Sequence, residues 1–178
     1  MAKLSIHTDE KKSKINRNIY GNFSEHLGRC IYNGIYVGEN SDIPNVNGMR
    51  TDIVEALKAI KLPVLRWPGG NFAGEFNWMD GLLPADMRAP FQSYLGLETQ
   101  PHTMGYDFSE INTDDFIALC REIGAEPFIT INPCWNTPDE NAAWVEYCNG
   151  DVSTPYGKLR ASRGHQEPYN CLLYTSDA

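Results

Sequence analysis

The residues with the clearest chemical potential are Arg66 and Asn71, set in the run Arg66-Trp67-Pro68-Gly69-Gly70-Asn71-Phe72. They follow Leu62-Pro63-Val64-Leu65, a short apolar stretch that reads as a buried strand. Pro68 lacks the N–H that a sheet ladder needs, so the strand stops there. Gly69 and Gly70 let the backbone turn sharply and approach another group closely. Arg66 and Asn71 therefore belong at the carboxyl end of a strand, where parallel α/β sheets and barrels bind ligands. An arginine ending an apolar strand needs a carboxylate or a ligand nearby. The competing reading is an ion pair that only shapes the top of the sheet.

A second carboxyl-end segment is Phe23-Ser24-Glu25-His26-Leu27-Gly28. Glu25 would leave its strand toward the same mouth as Arg66 and Asn71; taken alone it also reads as a solvated loop carboxylate. His26 is a weaker candidate, since an isolated histidine usually carries a structural hydrogen bond. The loops are rich in rings: Tyr32, Tyr36, Phe72, Phe76, Trp78, Tyr94, Tyr106 and Trp135. Rings at a ligand mouth can stack on the C–H faces of sugars, although each alone is as readily a packing residue. As a set they favour a neutral, polar, ring-shaped ligand. Glycoside hydrolysis usually needs two carboxyl groups. Glu25 supplies one at most, and nothing places Glu75 or Asp80 across a scissile bond. No G-x-S-x-G elbow, H-E-x-x-H pair or Ser-His-Asp order is present.

The elements that must position these residues can be read from periodicity and punctuation. Leu4 to Thr8 alternates as a short half-buried strand, and Asn18 to Phe23 reads as a second strand. Thr51 to Ile60 carries Ile53, Val54, Leu57 and Ile60 on one helical stripe. Val64 to Trp67 is a strand. Thr113 is expected to cap a helix that stops at Gly124. Pro127 to Asn132 is a strongly apolar strand. Thr137-Pro138-Asp139-Glu140 is a capping box with proline at the first helical position, opening a helix that ends near Asn149-Gly150. Strand and helix alternate, which predicts parallel strands with right-handed crossovers. Helix-to-strand links are short, whereas Ser24 to Arg50 and Pro68 to Asn112 are long strand-to-helix loops. Loading long loops on one end of a sheet is the habit of a barrel enzyme. The alternative, a doubly wound sheet, lacks its glycine-rich nucleotide signatures here.

Composition narrows the function classes. The chain has 178 residues, 42% hydrophobic and 21% charged, as expected of a folded domain. Its formal net charge of −8 argues against a nucleic-acid partner. No apolar run reaches the length of a membrane span, and residues 1–20 hold no signal-peptide core. The five cysteines are scattered without metal-ligand spacing, so neither zinc nor a disulfide framework is expected, and a reducing cytoplasm is the simplest compartment. Cys120 and Cys148 fall in helical patterns as small core residues.

The stretch Ile15-Asn16-Arg17-Asn18-Ile19-Tyr20-Gly21-Asn22-Phe23-Ser24-Glu25-His26-Leu27-Gly28-Arg29-Cys30-Ile31-Tyr32 resembles the opening of family 51 glycoside hydrolases, the α-L-arabinofuranosidases. Pro63-Val64-Leu65-Arg66-Trp67-Pro68-Gly69-Gly70-Asn71-Phe72, Asn77-Trp78-Met79-Asp80-Gly81, Gly124-Ala125-Glu126-Pro127 and Trp144-Val145-Glu146-Tyr147-Cys148-Asn149 fit as well. The resemblance covers residues 3–170. It implies a (β/α)8 TIM barrel, present here as its N-terminal half over residues 15–170. Residues 1–14 would then give a strand to a β-sandwich domain, and residues 171–178 would form a tail outside the family pattern. It implies removal of terminal α-L-arabinofuranosyl units from arabinan and arabinoxylan with retention of configuration. No metal or organic cofactor is implied, and the complete protein would be a cytoplasmic homo-oligomer.

By the same resemblance, Glu25 and Asn71 match positions that hydrogen-bond the arabinofuranose hydroxyls, and Arg66 matches an arginine near the nucleophile. Trp135 joins them as a substrate-binding candidate. In the family, Glu167-Pro168-Tyr169-Asn170 leads into a strand ending in Gly-Asn-Glu, whose glutamate is the acid/base. Here the chain reads Cys171-Leu172-Leu173-Tyr174-Thr175-Ser176-Asp177-Ala178. Neither catalytic glutamate is therefore expected among these residues, and the isolated chain is expected to be inactive. The readings that compete are a non-catalytic carbohydrate-binding module and another retaining barrel glycosidase such as an endoglucanase.

Overall fold

The computed structural model describes residues 2–88, 90–92, 106–107 and 109–176. Tyr94, Asp177 and Ala178, named above, lie outside them, and the side chain of Tyr106 is not described. The scaffold is a four-stranded parallel sheet of β1 (Asn22–Phe23), β4 (Val64–Trp67), β7 (Glu126–Ile131) and β8 (Leu173–Ser176), in that spatial order. Two antiparallel pairs, β2 (Asn45–Val46) with β3 (Met49–Arg50) and β5 (Phe91–Gln92) with β6 (Tyr106–Asp107), decorate the long loops. Helices α1 (Thr51–Ala59), α3 (Thr113–Ile123), α4 (Pro138–Asn149) and α5 (Pro155–Ser162) fill the crossovers, and α2 (Trp78–Gly81) is one turn within the second long loop. Each new strand adds on the same side of the last, without the reversal of order that marks a doubly wound sheet.

The register sorts the sheet's faces. Phe23 pairs with Arg66, Arg66 with Phe128 and Phe128 with Leu173, so these four share one face. Leu65, Trp67 and Ile129 point to the other face and are buried against the helices. There Trp67 stacks on Phe116 of α3 at 5.0 Å, and Trp144 of α4 stacks on Trp78 at 6.1 Å. Burying such rings is the chief apolar contribution to the fold, about 1.5–3 kcal/mol each for a side chain of that kind. The opposite face is less covered, and Phe23 is half exposed on it.

Several elements form as the sequence predicts. Gly124 takes the left-handed conformation, φ 73°, that ends α3. Thr137 and Glu140 make the reciprocal capping box of α4. Other elements differ. The cap of α3 is Asn112, which accepts from the Asp114 and Asp115 amides at 2.8 and 3.1 Å while Asp115 accepts from the Asn112 N–H. Thr113 is already helical, and its hydroxyl accepts from the Trp144 indole at 3.0 Å. Residues Arg17–Tyr20 form a 3-10 turn capped by the Asn16 side chain, so β1 shortens to Asn22–Phe23. The alternation over Leu4 to Thr8 produces no strand. Leu4 and Ile6 are 86% and 77% exposed, and no described residue pairs with them. Residues Leu173–Ser176, in the segment expected to form a tail, supply β8. Asn149 clamps Cys171 in both directions, at 2.8 and 2.9 Å, which delivers Leu173–Ser176 to the edge of β7.

The crossover between β7 and β8 is tied by two buried polar hubs. Asp114 accepts from the hydroxyls of Tyr147 and Tyr169 and pairs with Arg163 at 2.8 Å. Burial and the Asp114 charge push both phenols well above their ordinary range. Arg160, fully buried, donates to the carbonyls of Tyr147, His165 and Gln166. It thereby satisfies a carbonyl of the last turn of α4. All five cysteines are free; Cys120, Cys148 and Cys171 are buried, and burial raises the Cys120 thiol.

Candidate functional site

The site grows from the way β1 leaves the sheet. After Phe23 the chain still follows β4: the Ser24 amide and hydroxyl donate to the Arg66 carbonyl at 2.8 and 2.9 Å, and the His26 amide donates to the Pro68 carbonyl at 3.0 Å. The chain then reverses tightly, with the Leu27 amide donating to the Glu25 carbonyl at 2.7 Å. This leaves Glu25 at the strand end with its carboxylate turned onto the segment after β4. One oxygen, Oε1, accepts from the amides of Gly70 at 3.1 Å and Phe72 at 2.9 Å. Glu25 is thus a positioned group, only 9% exposed, not a solvated loop carboxylate.

Gly69 is required for this approach. A Cβ there would lie 2.6 Å from Glu25 Cγ and 3.0 Å from its Oε1. The peptide between Trp67 and Pro68 is cis.

Arg66 points to the less covered face of the sheet, level with Phe23. Its Nε donates to the Thr130 hydroxyl at 2.9 Å, and its guanidinium carbon lies 4.7 Å from the Phe23 ring centroid and 6.0 Å from that of Phe128. A hydroxyl and two π faces help to hold the guanidinium's orientation. Asn71 opens the 3-10 turn Asn71–Gly74 and is exposed beside the amides that hold Glu25.

Trp135 stands on the loop after β7 and is 80% exposed. Its backbone is fixed: buried Asn132 accepts from the Cys134 and Trp135 amides, both at 3.0 Å, and donates to the Phe76 carbonyl at 3.2 Å. Glu25, Arg66, Asn71 and Trp135 therefore all come from the carboxyl ends of adjacent parallel strands. Glu25 and the segment around Asn71 are directly joined. The third loop meets the second where Cys134 Sγ packs on Gly74.

The ring-rich loops resolve differently from the sequence expectation. Tyr32, Phe72, Phe76 and Trp78 are buried in the helix-side core, and Tyr36 is half-buried. Among the described rings named for stacking, Trp135 is the one that stands in the open. Sequence reasoning passed over Asn132 and Thr130, whereas His26 carries structural hydrogen bonds, to Trp67 and Tyr32, as expected. The signal for Asn132 was a polar residue closing an apolar strand. Three grooves of about 530, 620 and 640 Å³ lie elsewhere, and none is lined by Glu25, Arg66, Asn71 or Trp135. Among the described residues no group of His, Cys, Asp and Glu could hold a metal ion, and no helix is long and apolar enough to cross a membrane.

Residues 56–175 match the family described as the alpha-L-arabinofuranosidase 1 domain. The chain is 46% identical over 169 residues to alpha-L-arabinofuranosidase C of Emericella nidulans, covering 94% of this chain and 32% of that protein. It is 43% identical, with the same coverage, to an intracellular exo-alpha-L-arabinofuranosidase of Bacteroides ovatus. The crystal structure of the alpha-L-arabinofuranosidase from Thermotoga maritima in complex with arabinose superposes with a TM-score of 0.78 at 48% identity, over 87% of this chain and 30% of that one. The GH51 arabinofuranosidase from Xanthomonas axonopodis pv. citri gives a TM-score of 0.84 at 33% identity, over 94% and 33%. The chain spans about a third of the length of these relatives.

Proposed function

The chain belongs to the alpha-L-arabinofuranosidase 1 domain family, and from that premise we propose that it forms the sugar-binding part of a retaining α-L-arabinofuranosidase. The complete enzyme removes terminal non-reducing arabinofuranosyl units from arabinan- and arabinoxylan-type chains. The observation that carries this reading is the Glu25 carboxylate, pinned by the Gly70 and Phe72 amides beside exposed Asn71 at the binding end of a parallel sheet. A carboxylate held this way keeps its direction as a hydroxyl donor approaches, so it orients a sugar with little reorganisation. Asn71 adds an amide that both donates and accepts.

Arg66, steered by Thr130 and two rings, presents positive charge on the face where a catalytic carboxylate must stay ionised to attack the anomeric carbon. Trp135 offers its exposed face to the sugar beyond the scissile bond. The retaining mechanism needs an acid/base and a nucleophile about 5 Å apart, and we assign both glutamates to segments outside these 178 residues. The four parallel strands are the first half of a (β/α)8 barrel, a reading that their unreversed order supports. Residues 1–14, of which 2–14 bury no apolar face here, contribute a strand to a β-sandwich. The complete protein is a cytoplasmic homo-oligomer that works without a cofactor.

The test is hydrolysis of an aryl α-L-arabinofuranoside by the complete protein. Arabinose release with retention is expected, with KM raised in Glu25→Ala and Asn71→Ala and no release by the 178-residue polypeptide alone. Release of glucose from glucosides with no action on arabinofuranosides would overturn the substrate assignment.

A further inference from the structure

The most constrained polar group beside the site is one the proposed chemistry does not use. His26 is 1% exposed, and both of its ring nitrogens are engaged. The Trp67 indole N–H donates to Nε2 at 2.9 Å. An indole nitrogen only donates, so the imidazole carries its proton on Nδ1 and gives it to the Tyr32 hydroxyl at 3.1 Å. The ring stacks flat on Phe72, centroids 4.5 Å apart and planes 6° from parallel, with Phe76 at 5.8 Å. Trp67 ends β4, Phe72 follows it, and Tyr32 belongs to the loop after β1. The imidazole therefore joins the ends of both strands.

Its place in the chain makes this matter for Glu25. His26 is the corner of the tight turn closed by the bond from the Leu27 amide to the Glu25 carbonyl, and its own amide is bonded to Pro68. Phe72 contributes twice: its amide holds the Glu25 carboxylate and its ring lies against His26. Glu25, the Phe72 amide, the Phe72 ring and His26 thus form a closed circuit in which the imidazole sets the spacing.

We propose that His26 is a positioning residue that fixes the Glu25 carboxylate for sugar binding, acting through the bond it accepts from Trp67. This rests on the preceding assignment of Glu25 to the sugar. A wedge of imidazole does what an apolar ring could not. Its two directional bonds select one rotation, whereas a phenyl group in the same slot would leave the Trp67 N–H and the Tyr32 hydroxyl buried without this partner.

The experiment measures kcat, KM and the inhibition constant of L-arabinose for the complete enzyme, below the melting temperature of every variant. His26→Phe keeps the ring and the stack and removes both nitrogens. His26→Gln places an amide oxygen where the Trp67 indole can still donate. We expect His26→Phe to raise KM and the arabinose inhibition constant about tenfold, the scale of one neutral hydrogen bond, with a smaller change in kcat. His26→Gln should recover to within roughly threefold of the parent, since it keeps the bond from Trp67.

Equal losses in both variants, or unchanged constants in a folded His26→Phe, overturn the proposal. Should His26→Phe fail to fold, Tyr32→Phe removes the other partner alone. A modest rise in the inhibition constant then supports the circuit, and none overturns it. Glu25→Gln separates this inference from the one beneath it. If Glu25→Gln leaves arabinose binding unchanged, the sugar assignment of Glu25 falls; if it weakens binding while His26→Phe does not, only the positioning role falls.

Discussion

Adding one methyl group at Gly69 should cripple sugar binding while leaving the fold nearly intact. The Cβ of Gly69→Ala would stand 2.6 Å from Glu25 Cγ and 3.0 Å from Oε1. Ordinary carbon–carbon contact is about 3.5–4.0 Å, so the Glu25 side chain must retreat by about 1 Å. It cannot do so freely, because the Gly70 and Phe72 amides hold its oxygen at 3.1 and 2.9 Å. Relieving an overpacked contact of this kind costs about 1–3 kcal/mol, and a binding group displaced by ~1 Å loses on the order of a hundredfold in rate. The expected outcome for the complete enzyme is therefore a fall in kcat/KM of about a hundredfold on an aryl arabinofuranoside, carried mainly by KM, with a small drop in melting temperature. Gly124→Ala is the matched control. Gly124 has φ +73° and nothing within 4 Å of a new Cβ, so alanine there costs backbone strain and stability without touching the site. A Gly69→Ala enzyme with KM within threefold of the parent would refute the packing argument.

Arg160→Leu should lower the stability of the complete protein by about 3–5 kcal/mol, since three carbonyls lose a buried charged donor; denaturant melts check it, and a loss below 1 kcal/mol contradicts it. Burial, reinforced by the charge of Asp114, raises the Asp115 carboxyl above its ordinary 3.8, against the Asn112 amide and the Arg88 and Arg163 cations that lower it. A raised carboxyl contributes stability that is full below 3.8 and is lost as pH rises through the folded value. Asp115→Asn should therefore match or exceed the parent's melting temperature at pH 7, with the advantage closing as the pH falls toward 4; a parent clearly more stable at pH 7 would contradict this. Trp135→Ala should leave the melt unchanged, the ring being 80% exposed, and raise KM for oligosaccharides more than for an aryl substrate.

How much was legible in the sequence depended on the range of the forces involved. The Thr137–Glu140 capping box and the stop at Gly124 are local, and both formed as expected. The start of α3 was misplaced by one residue because Asn112 and Thr113 are both competent caps, and the choice was decided by Trp144, which claims the Thr113 hydroxyl from another helix. The strand expected at Leu4 to Thr8 failed for want of a partner, since alternation specifies a face but not what covers it. Helix α5 and strand β8 were missed. Their patterns are short and mixed, and tertiary clamps such as Asn149 on Cys171 hold them.

At the site, chain-break chemistry placed Arg66 and Asn71 at a strand end correctly. Whether a loop ring faces ligand or core could not be read: Phe72 and Phe76 look like loop aromatics but fill the space around His26.

The most direct measurement is a crystal structure of the complete protein with an arabinofuranosyl oligosaccharide bound. The account predicts the terminal sugar over the carboxyl ends of β1 and β4, with hydroxyls bonded to the Glu25 carboxylate and the Asn71 side chain, the Arg66 guanidinium beneath and Trp135 against the next sugar. A sugar seated at the opposite end of the sheet, or in one of the grooves beside α3, would contradict it.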